Sequence, residues 1–357
     1  MKQSRQTYPI FLTLLIASII GLGNTMHSSN NAFAQYYKQP HHIPVLHKIT
    51  LAVEEIPLLG GNLYAYKMVQ HLVNDMDTGS TIKDLTNNYE PGPTIPGPTL
   101  IIDEGDVVSL TLENNIQSRG ENAMVSVHVH GIHYPITSDG TLQVTNNVGD
   151  QGINPGDTIT YSWTAGPGTV GTWPYHDHTL GLNTIGKDPN GLEMSGLFGT
   201  LIINDGDGYT NALINGEPEI VNIDDISKDV ICWISDDAFW CNEAVNNYGE
   251  YNHKALWENP TIKAVNNDLV RFHLLGIGTD FTVFQLSGYE WLKPGTDQII
   301  NEKEIGPLAV HVFTVVADEG DSQYRDIIQS HFKSGMFGDF IVDDMGVSIP
   351  GDQPGEA

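Results

Sequence analysis

The chain has 357 residues, with 16 Lys+Arg against 44 Asp+Glu and a formal net charge of -28. That length suits two domains or one large β architecture with a sizeable core, and so acidic a surface excludes nucleic acid and anionic membranes as main partners. Charged residues make up 17% of the chain, below the usual ~25%, while 37 Gly and 19 Pro accompany abundant Val, Ile and Thr. This balance favours short strands joined by turns over helical bundles.

In chain order, Lys2 and Arg5 precede an apolar run over 10–22 and a small-residue cleavage site at Ala32-Phe33-Ala34. The run is short for a bilayer span, so residues 1–34 read as a secretory signal peptide, or as an N-terminal anchor if left uncleaved. Either way the remainder is expected outside the cytoplasm. A polar leader with His41, His42 and His47 follows, expected to be mobile. Strand-like runs then occupy 49–53, 100–102, 107–112, 125–130, 158–163 and 199–203, separated by Gly, Pro, Asn and Asp. A spacing of about ten residues per strand is the signature of a β-sandwich. The polar stretch Asn204-Asp205-Gly206-Asp207-Gly208 reads as a linker.

A second strand set covers 219–221, 269–275, 281–286, 310–316 and 340–342. Gly196-Leu197-Phe198-Gly199 closes the first set as Gly335-Met336-Phe337-Gly338 closes the second, which points to a duplicated domain. The expected boundaries are 45–204 and 209–345, with a disordered tail over 346–357. Two cysteines, Cys232 and Cys241, stand nine residues apart. They either pair across neighbouring strands or remain two small buried side chains, and the spacing decides neither.

Two His-x-His pairs carry the chemistry: His128-Val129-His130 and His176-Asp177-His178. On a strand, positions i and i+2 project to one face roughly 6.5 to 7 Å apart, so each pair can aim two imidazoles at a common point. Imidazole suits Cu, Zn, Ni and Fe, and neither thiolates nor clustered carboxylates accompany these histidines to favour Ca or Mg. The alternative, four interior histidines without a metal, would require several compensating hydrogen bonds.

These pairs sit within longer motifs. Pro96-Gly97-Pro98-Thr99 with Glu104-Gly105-Asp106, His128-Val129-His130-Gly131 with Ser138-Asp139-Gly140, and Gly171-Thr172-Trp173-Pro174-Tyr175-His176-Asp177-His178 resemble the first domain of the two-domain multicopper oxidases, the small laccases. Val270-Arg271-Phe272, Gly288-Tyr289-Glu290-Trp291 and His331-Phe332-Lys333-Ser334-Gly335-Met336 resemble their second domain. The resemblance spans about residues 45 to 343 and implies an all-β fold of two cupredoxin-like Greek-key β-sandwich domains, related to the copper nitrite reductases. It also implies a copper cofactor and a homotrimer, with a trinuclear cluster between domain one of one subunit and domain two of the next. In that family a type 1 copper, bound by Cys, two His and an axial Met, feeds the cluster.

The carry-over is lopsided. Domain one keeps His128, His130, His176 and His178. Where the family's second domain supplies His-x-x-His-x-His and His-Cys-His, this chain has Thr282, Gln285 and Ser287, then Arg325, Asp326 and Ile327. Only His331 and Met336 remain of the type 1 set, and without the thiolate they make no blue copper site. The expectation is a metal centre of reduced nuclearity, with Gln285, Ser287, Arg325 and Asp326 of a neighbouring subunit facing it. There Arg325 would hold an anion or balance Asp326.

Asp139 matches a family carboxylate near the cluster that orients metal-bound water or accepts a proton. Tyr134 matches a tyrosine kept beside the type 2 copper, a proton or one-electron donor. Both also suit ordinary turn hydrogen bonding. His133 stands where relatives carry an acid and falls on the other parity from His128 and His130. His273 and His311 read as satisfied core histidines in apolar strands, and His71 and His253 have no companions at ligand spacing.

The function expected is that of a secreted copper oxidoreductase using a type 2-like centre on a small inorganic molecule. Hydroxylamine, nitric oxide, nitrite or dioxygen would fit, with a small redox protein as a further partner. Negative charge disfavours steering an anion, which turns the choice toward neutral hydroxylamine. The alternatives are a non-catalytic extracytoplasmic copper-storage protein and a zinc hydrolytic site.

Overall fold

Alternating apolar residues and turn glycines produce strands almost throughout. The computed structural model describes residues 42–58, 61–117, 123–141, 152–179, 196–205, 208–247 and 250–344. The signal segment 1–34, His41, the centre of the linker (206–207) and the tail 346–357 lie outside the described residues.

The first half contains β1 (Val45–Leu58), β2 (Gly61–Asp75), β3 (Thr81–Asp84), β4 (Leu100–Asp103), β5 (Val107–Asn114), β6 (His128–Val129), β7 (Thr158–Thr164), β8 (Gly171–His176) and β9 (Phe198–Asn204). They form one sheet in the order β3-β2-β1-β5-β7 and another in the order β4-β9-β8-β6. β1 runs antiparallel to β2 but parallel to β5, so sequence neighbours are not always sheet neighbours. In β5 every second residue is buried, and Val108, Leu110 and Leu112 enter the core beside Tyr161 and Trp163. Each such aliphatic burial contributes about 1.5–3 kcal/mol.

The second half repeats the plan with β10 (Tyr209–Ile214), β11 (Glu217–Asn222), β12 (Ile226–Ile234), β13 (Phe239–Asn247), β14 (Glu250–Glu258), β15 (Ile262–Val265), β16 (Leu269–Gly276), β17 (Thr282–Leu286), β18 (Trp291–Leu292), β19 (Ile299–Ile300), β20 (Glu302–Ile305), β21 (Val310–Val316), β22 (Gly320–Asp326), the short helix α1 (Gln329–Lys333) and β23 (Phe337–Asp343). Its two large sheets are β14-β13-β12-β16-β21 and β15-β23-β22-β17-β20, beside the two-stranded sheets β10-β11 and β18-β19. β12 is antiparallel to β13 and parallel to β16, as β1 is to β2 and β5. Cys232 and Cys241 face each other across β12 and β13 and form a disulfide, which resolves the choice the spacing left open.

The halves share a core of Ala65, Ile95, Phe198 and Ile202 with Ile231, Trp233, Ala244 and Leu275. Polar contacts fix their register. Trp233 Nε1–H donates to Thr200 Oγ1 (2.8 Å), and Asn242 Nδ2–H to the Gly97 carbonyl (2.8 Å). Deeper in, Asp229 on β12 accepts from Arg271 Nε (2.5 Å), Arg271 Nη2 (3.1 Å) and His273 Nε2 (2.9 Å). Thr172 on β8 completes the chain by donating its hydroxyl to His273 Nδ1 (2.7 Å). His273 is therefore a satisfied core histidine, as is His311, whose Nε2 accepts from Trp291 Nε1 (3.0 Å). Among the described residues no helix is long and apolar enough to cross a membrane.

Candidate metal centre

Strand β6 is a single pairing step. His128 stands opposite His176 of β8, and Val129 opposite Tyr175. Beyond β6 the chain turns at Gly131, with φ +66, where a Cβ would lie 1.9 Å from the Trp173 ring, so glycine is required for Trp173 to cover the turn. His130 is held by its N–H, which donates to the Pro174 carbonyl (3.0 Å). His178 lies just past β8, where its N–H donates to Ser126 Oγ (3.0 Å).

The period-two geometry turns Asp177 away from its histidine neighbours. Its buried carboxylate accepts from Ser126 N–H (2.8 Å) and Thr179 Oγ1 (2.6 Å), locking the loop that carries His178. Burial raises the Asp177 pKa, and these hydrogen bonds only partly offset it. Neither Ser126 nor Thr179 was legible as a support in the sequence; the signal for Asp177 was its place inside His-x-His.

The four imidazole rings pack together, and the donor atoms of three of them, without His178, converge. The His128 ring centre is 4.9 Å from that of His130, 5.6 Å from His176 and 5.2 Å from His178. His176 is 5.3 Å from His130 and 5.6 Å from His178. Donor atoms of His128, His130 and His176 all lie within 4.8 Å of one another. Tautomers follow from the outer contacts. His128 Nδ1–H donates to the Asp139 carbonyl (2.6 Å) and His176 Nδ1–H to the Asp177 carbonyl (2.9 Å), which leaves each Nε2 as a lone pair. His130 Nε2 and His176 Nε2 are 3.2 Å apart, close enough to share one ion at about 2.0–2.1 Å from each. His178 Nδ1 is buried without a hydrogen-bond partner.

Burial, then the like charges of its neighbours, brings the His130 pKa down to about 4. His128 is lowered for the same first reason. Both are thus neutral near pH 7, the form that binds metals. Convergent neutral imidazoles, oriented lone pairs and an orphaned buried nitrogen fit a first-row transition metal ion.

Tyr134 and Asp139 flank this centre. The Tyr134 ring is 6.3 Å from that of His128, and its hydroxyl donates to the Asp139 carboxylate. Burial, then this carboxylate, pushes the Tyr134 pKa up to about 12. Burial would raise Asp139, but hydrogen bonds from Thr141 and Tyr134 and the charge of His128 outweigh it and hold its carboxyl below the ordinary value. His133 is exposed and pairs through its backbone with Thr164, away from the four histidines.

The second-half positions are engaged with each other. Arg325 donates to Gln285 Oε1 from Nε (3.1 Å) and Nη2 (2.7 Å), and does not balance Asp326. Asp326 is fully buried, so it cannot face a neighbouring subunit as expected. It accepts from His331 Nδ1 (2.6 Å), Val283 N–H (3.1 Å) and Ile328 N–H (2.9 Å). Thr282 and Met336 are buried beside it. Gln285, Ser287 and Arg325 line a separate cleft of about 710 Å³.

The histidines set aside in the sequence form a second cluster. His42 and His47, expected in a mobile leader, are bound to Asp106 at 2.7 and 3.1 Å. His71, expected to lack companions, contacts His47 at 2.8 Å, and His253 stacks on Tyr89 with ring centres 4.2 Å apart. These partners lie far apart in the chain, where spacing gives no sign of them.

Comparison with known proteins bears on the fold. Residues 88–208 match the family model for multicopper oxidase. A probable nitrite reductase-hydroxylamine oxidoreductase fusion protein of Kuenenia stuttgartiensis is 28% identical over 267 residues, 71% of this chain, which spans only 28% of that relative's length. Among solved structures, the blue copper oxidase of Nitrosomonas europaea superposes with a TM-score of 0.52 at 18% identity, covering 83% of this chain and 86% of that one. The copper nitrite reductase of Nitrosomonas europaea gives 0.51 at 16% identity, covering 83% and 94%. Residues 88–208 thus match the multicopper oxidase family model, and the chain shares the fold of these copper oxidase and nitrite reductase structures.

Proposed function

We propose that this protein is an extracytoplasmic copper-dependent oxidoreductase whose centre of reduced nuclearity is held by His128, His130, His176 and His178. The observation that carries this reading is the convergence of His128, His130 and His176, with His178 packed against them, while at the matching second-half positions Arg325 satisfies Gln285 and His331 satisfies Asp326. Bound copper would supply one-electron redox chemistry and a coordination position for a small ligand. With no cysteine outside the Cys232–Cys241 disulfide, no thiolate remains for a blue type 1 centre.

Without a separate electron-collecting site the substrate must reach the histidines directly, which favours a small inorganic molecule. Hydroxylamine is preferred, because the net charge of -28 repels nitrite. The Kuenenia stuttgartiensis relative, a probable nitrite reductase-hydroxylamine oxidoreductase fusion protein, supports a small nitrogen species. Oxidising hydroxylamine releases protons together with electrons. Asp139, a carboxylate beside His128, is placed to accept a proton, with Tyr134 donating to its other side. The electrons pass to a small redox protein. In the proposed homotrimer, Gln285, Ser287 and Arg325 of a neighbour cap the site at the subunit interface and narrow access to it.

Metal counts, EPR of the copper-loaded protein and steady-state turnover on hydroxylamine test this together. The expected result is a type 2 EPR signal without strong blue absorption and a rate above that of free copper ion. Tight, closed copper binding without turnover would assign the protein to storage. Absence of copper uptake would end the reading altogether.

A further inference from the structure

A cleft of about 590 Å³ opens at the seam between the two halves, walled by Tyr89, Asp103 and Asp106 from the first and by Asp224, Tyr251 and His253 from the second. A run of hydrogen bonds along its wall has a direction set by chemistry. The Tyr89 hydroxyl donates to His71 Nδ1 (2.9 Å), so His71 Nε2–H donates to His47 Nδ1 (2.8 Å) and His47 Nε2–H to Asp106 Oδ2 (3.1 Å). Asp106, 1% exposed, also accepts the backbone N–H groups of Val45 (2.8 Å) and Asp103 (2.9 Å). It is an anion: burial alone would raise its pKa, but the His47 bond and the backbone donors bring it below the ordinary value.

His42 Nε2–H donates to Asp106 Oδ1 (2.7 Å). A neutral imidazole has one N–H, so His42 Nδ1 then presents a lone pair to Asp103 Oδ2 at 3.3 Å. This nitrogen and the carboxylate oxygen face each other across a gap that a cation would bridge.

We propose that this cleft is a second metal site, separate from the four histidines, which takes a divalent transition-metal ion through His42, Asp103 and Asp106. Their donor atoms lie within 4.8 Å of one another, and one imidazole with two carboxylates matches the borderline preferences of zinc and copper(II). Asp205 and Asp224 on the same walls add negative charge, and His253 Nδ1, buried and without a hydrogen-bond partner, adds an unused nitrogen to the cleft lining. An ion here would bind the leader at His42 to the β4–β5 turn.

The test is zinc titration by calorimetry of the full chain carrying His130→Ala and His176→Ala, which removes the first centre. One zinc equivalent per chain is expected to remain, and adding His42→Ala or Asp103→Asn is expected to weaken it at least tenfold. No zinc binding, or binding indifferent to His42 and Asp103, overturns the site. So does uptake of a proton by His42 in place of metal, read as an imidazolium NMR signal that persists with zinc present. If the double-histidine variant does not fold, the metal count of the otherwise native chain carrying Asp103→Asn decides. A fall of one equivalent supports the site, and an unchanged count refutes it.

Discussion

Asp229→Ala is expected to unlock the seam that positions β8. Asp229 is fully buried and accepts three hydrogen bonds, two from Arg271, which is itself 5% exposed, and one from His273. Removing the carboxylate strands a buried guanidinium and an imidazole N–H, a loss of about 3–5 kcal/mol. Unfolding entropy of about 2.1 cal/mol/K per residue over about 300 folded residues converts 1 kcal/mol to about 1.6 °C, so Tm is expected to fall by about 5–8 °C. The pH dependence has a definite sign. Burial raises the Asp229 pKa, but Arg271 and His273 overcome this and hold it far below the ordinary carboxylate range. Its stabilisation is thus fully present above the unfolded value of about 4 and is lost as pH falls below it. Calorimetry of native and variant chains should give a constant Tm gap from pH 7 to pH 5 that narrows below about pH 4. Replacing Asp229 and Arg271 together by Leu and Met should recover most of the loss. A single-variant loss under 1 kcal/mol, or a gap that widens in acid, refutes the reasoning.

Three further outcomes are expected. His130→Ala should weaken copper binding by more than the roughly 10–100-fold typical of losing an outer hydrogen-bond partner, as measured by competition with a chelator. His253, whose pKa burial lowers to about 3, is neutral when folded and charges near pH 6.5 when unfolded. Its contribution is present above pH 6.5 and declines by up to about 1.4 kcal/mol per pH unit below it. His253→Phe, which keeps the stacking on Tyr89, should therefore flatten the acid limb of the Tm profile. Replacing Cys232 and Cys241 by Ala opens a loop of about ten residues and should cost about 2–3 kcal/mol in denaturant titration.

The gathering of the four histidine rings was legible because strand geometry converts spacing i, i+2 into a shared face, and the glycine and tryptophan motifs around each pair carry the turn chemistry. β5 was legible for the same reason, with one face in the core and one out. β12 was not, since it packs on its own core through Val230, Cys232 and Ile234 and on the other half through Ile231 and Trp233. Burial on both faces erases the alternation. β14 escaped notice for the opposite reason: an edge strand with Glu, Asn, His and Lys on it resembles a loop in composition. The His42–His71 cluster joins residues from β1, β2, β4 and the β4–β5 turn, and no local rule relates them.

The asymmetry between the halves is energetic as well as compositional. In the second half the positions that bind metal in the family are closed by internal bonds: Arg325 satisfies Gln285, and His331 satisfies Asp326. Nothing there demands a ligand. In the first half, His128 and His176 spend their N–H groups on backbone carbonyls and direct lone pairs inward, while His178 leaves a nitrogen sealed and unpaired. Each buried polar atom left unmade costs about 1–3 kcal/mol. A fold that had lost its metal along with the second-half ligands would gain stability by replacing such residues with apolar ones of similar volume. The imidazoles held by Ser126, Asp139 and Asp177 keep that unpaired nitrogen, which a bound ion would satisfy.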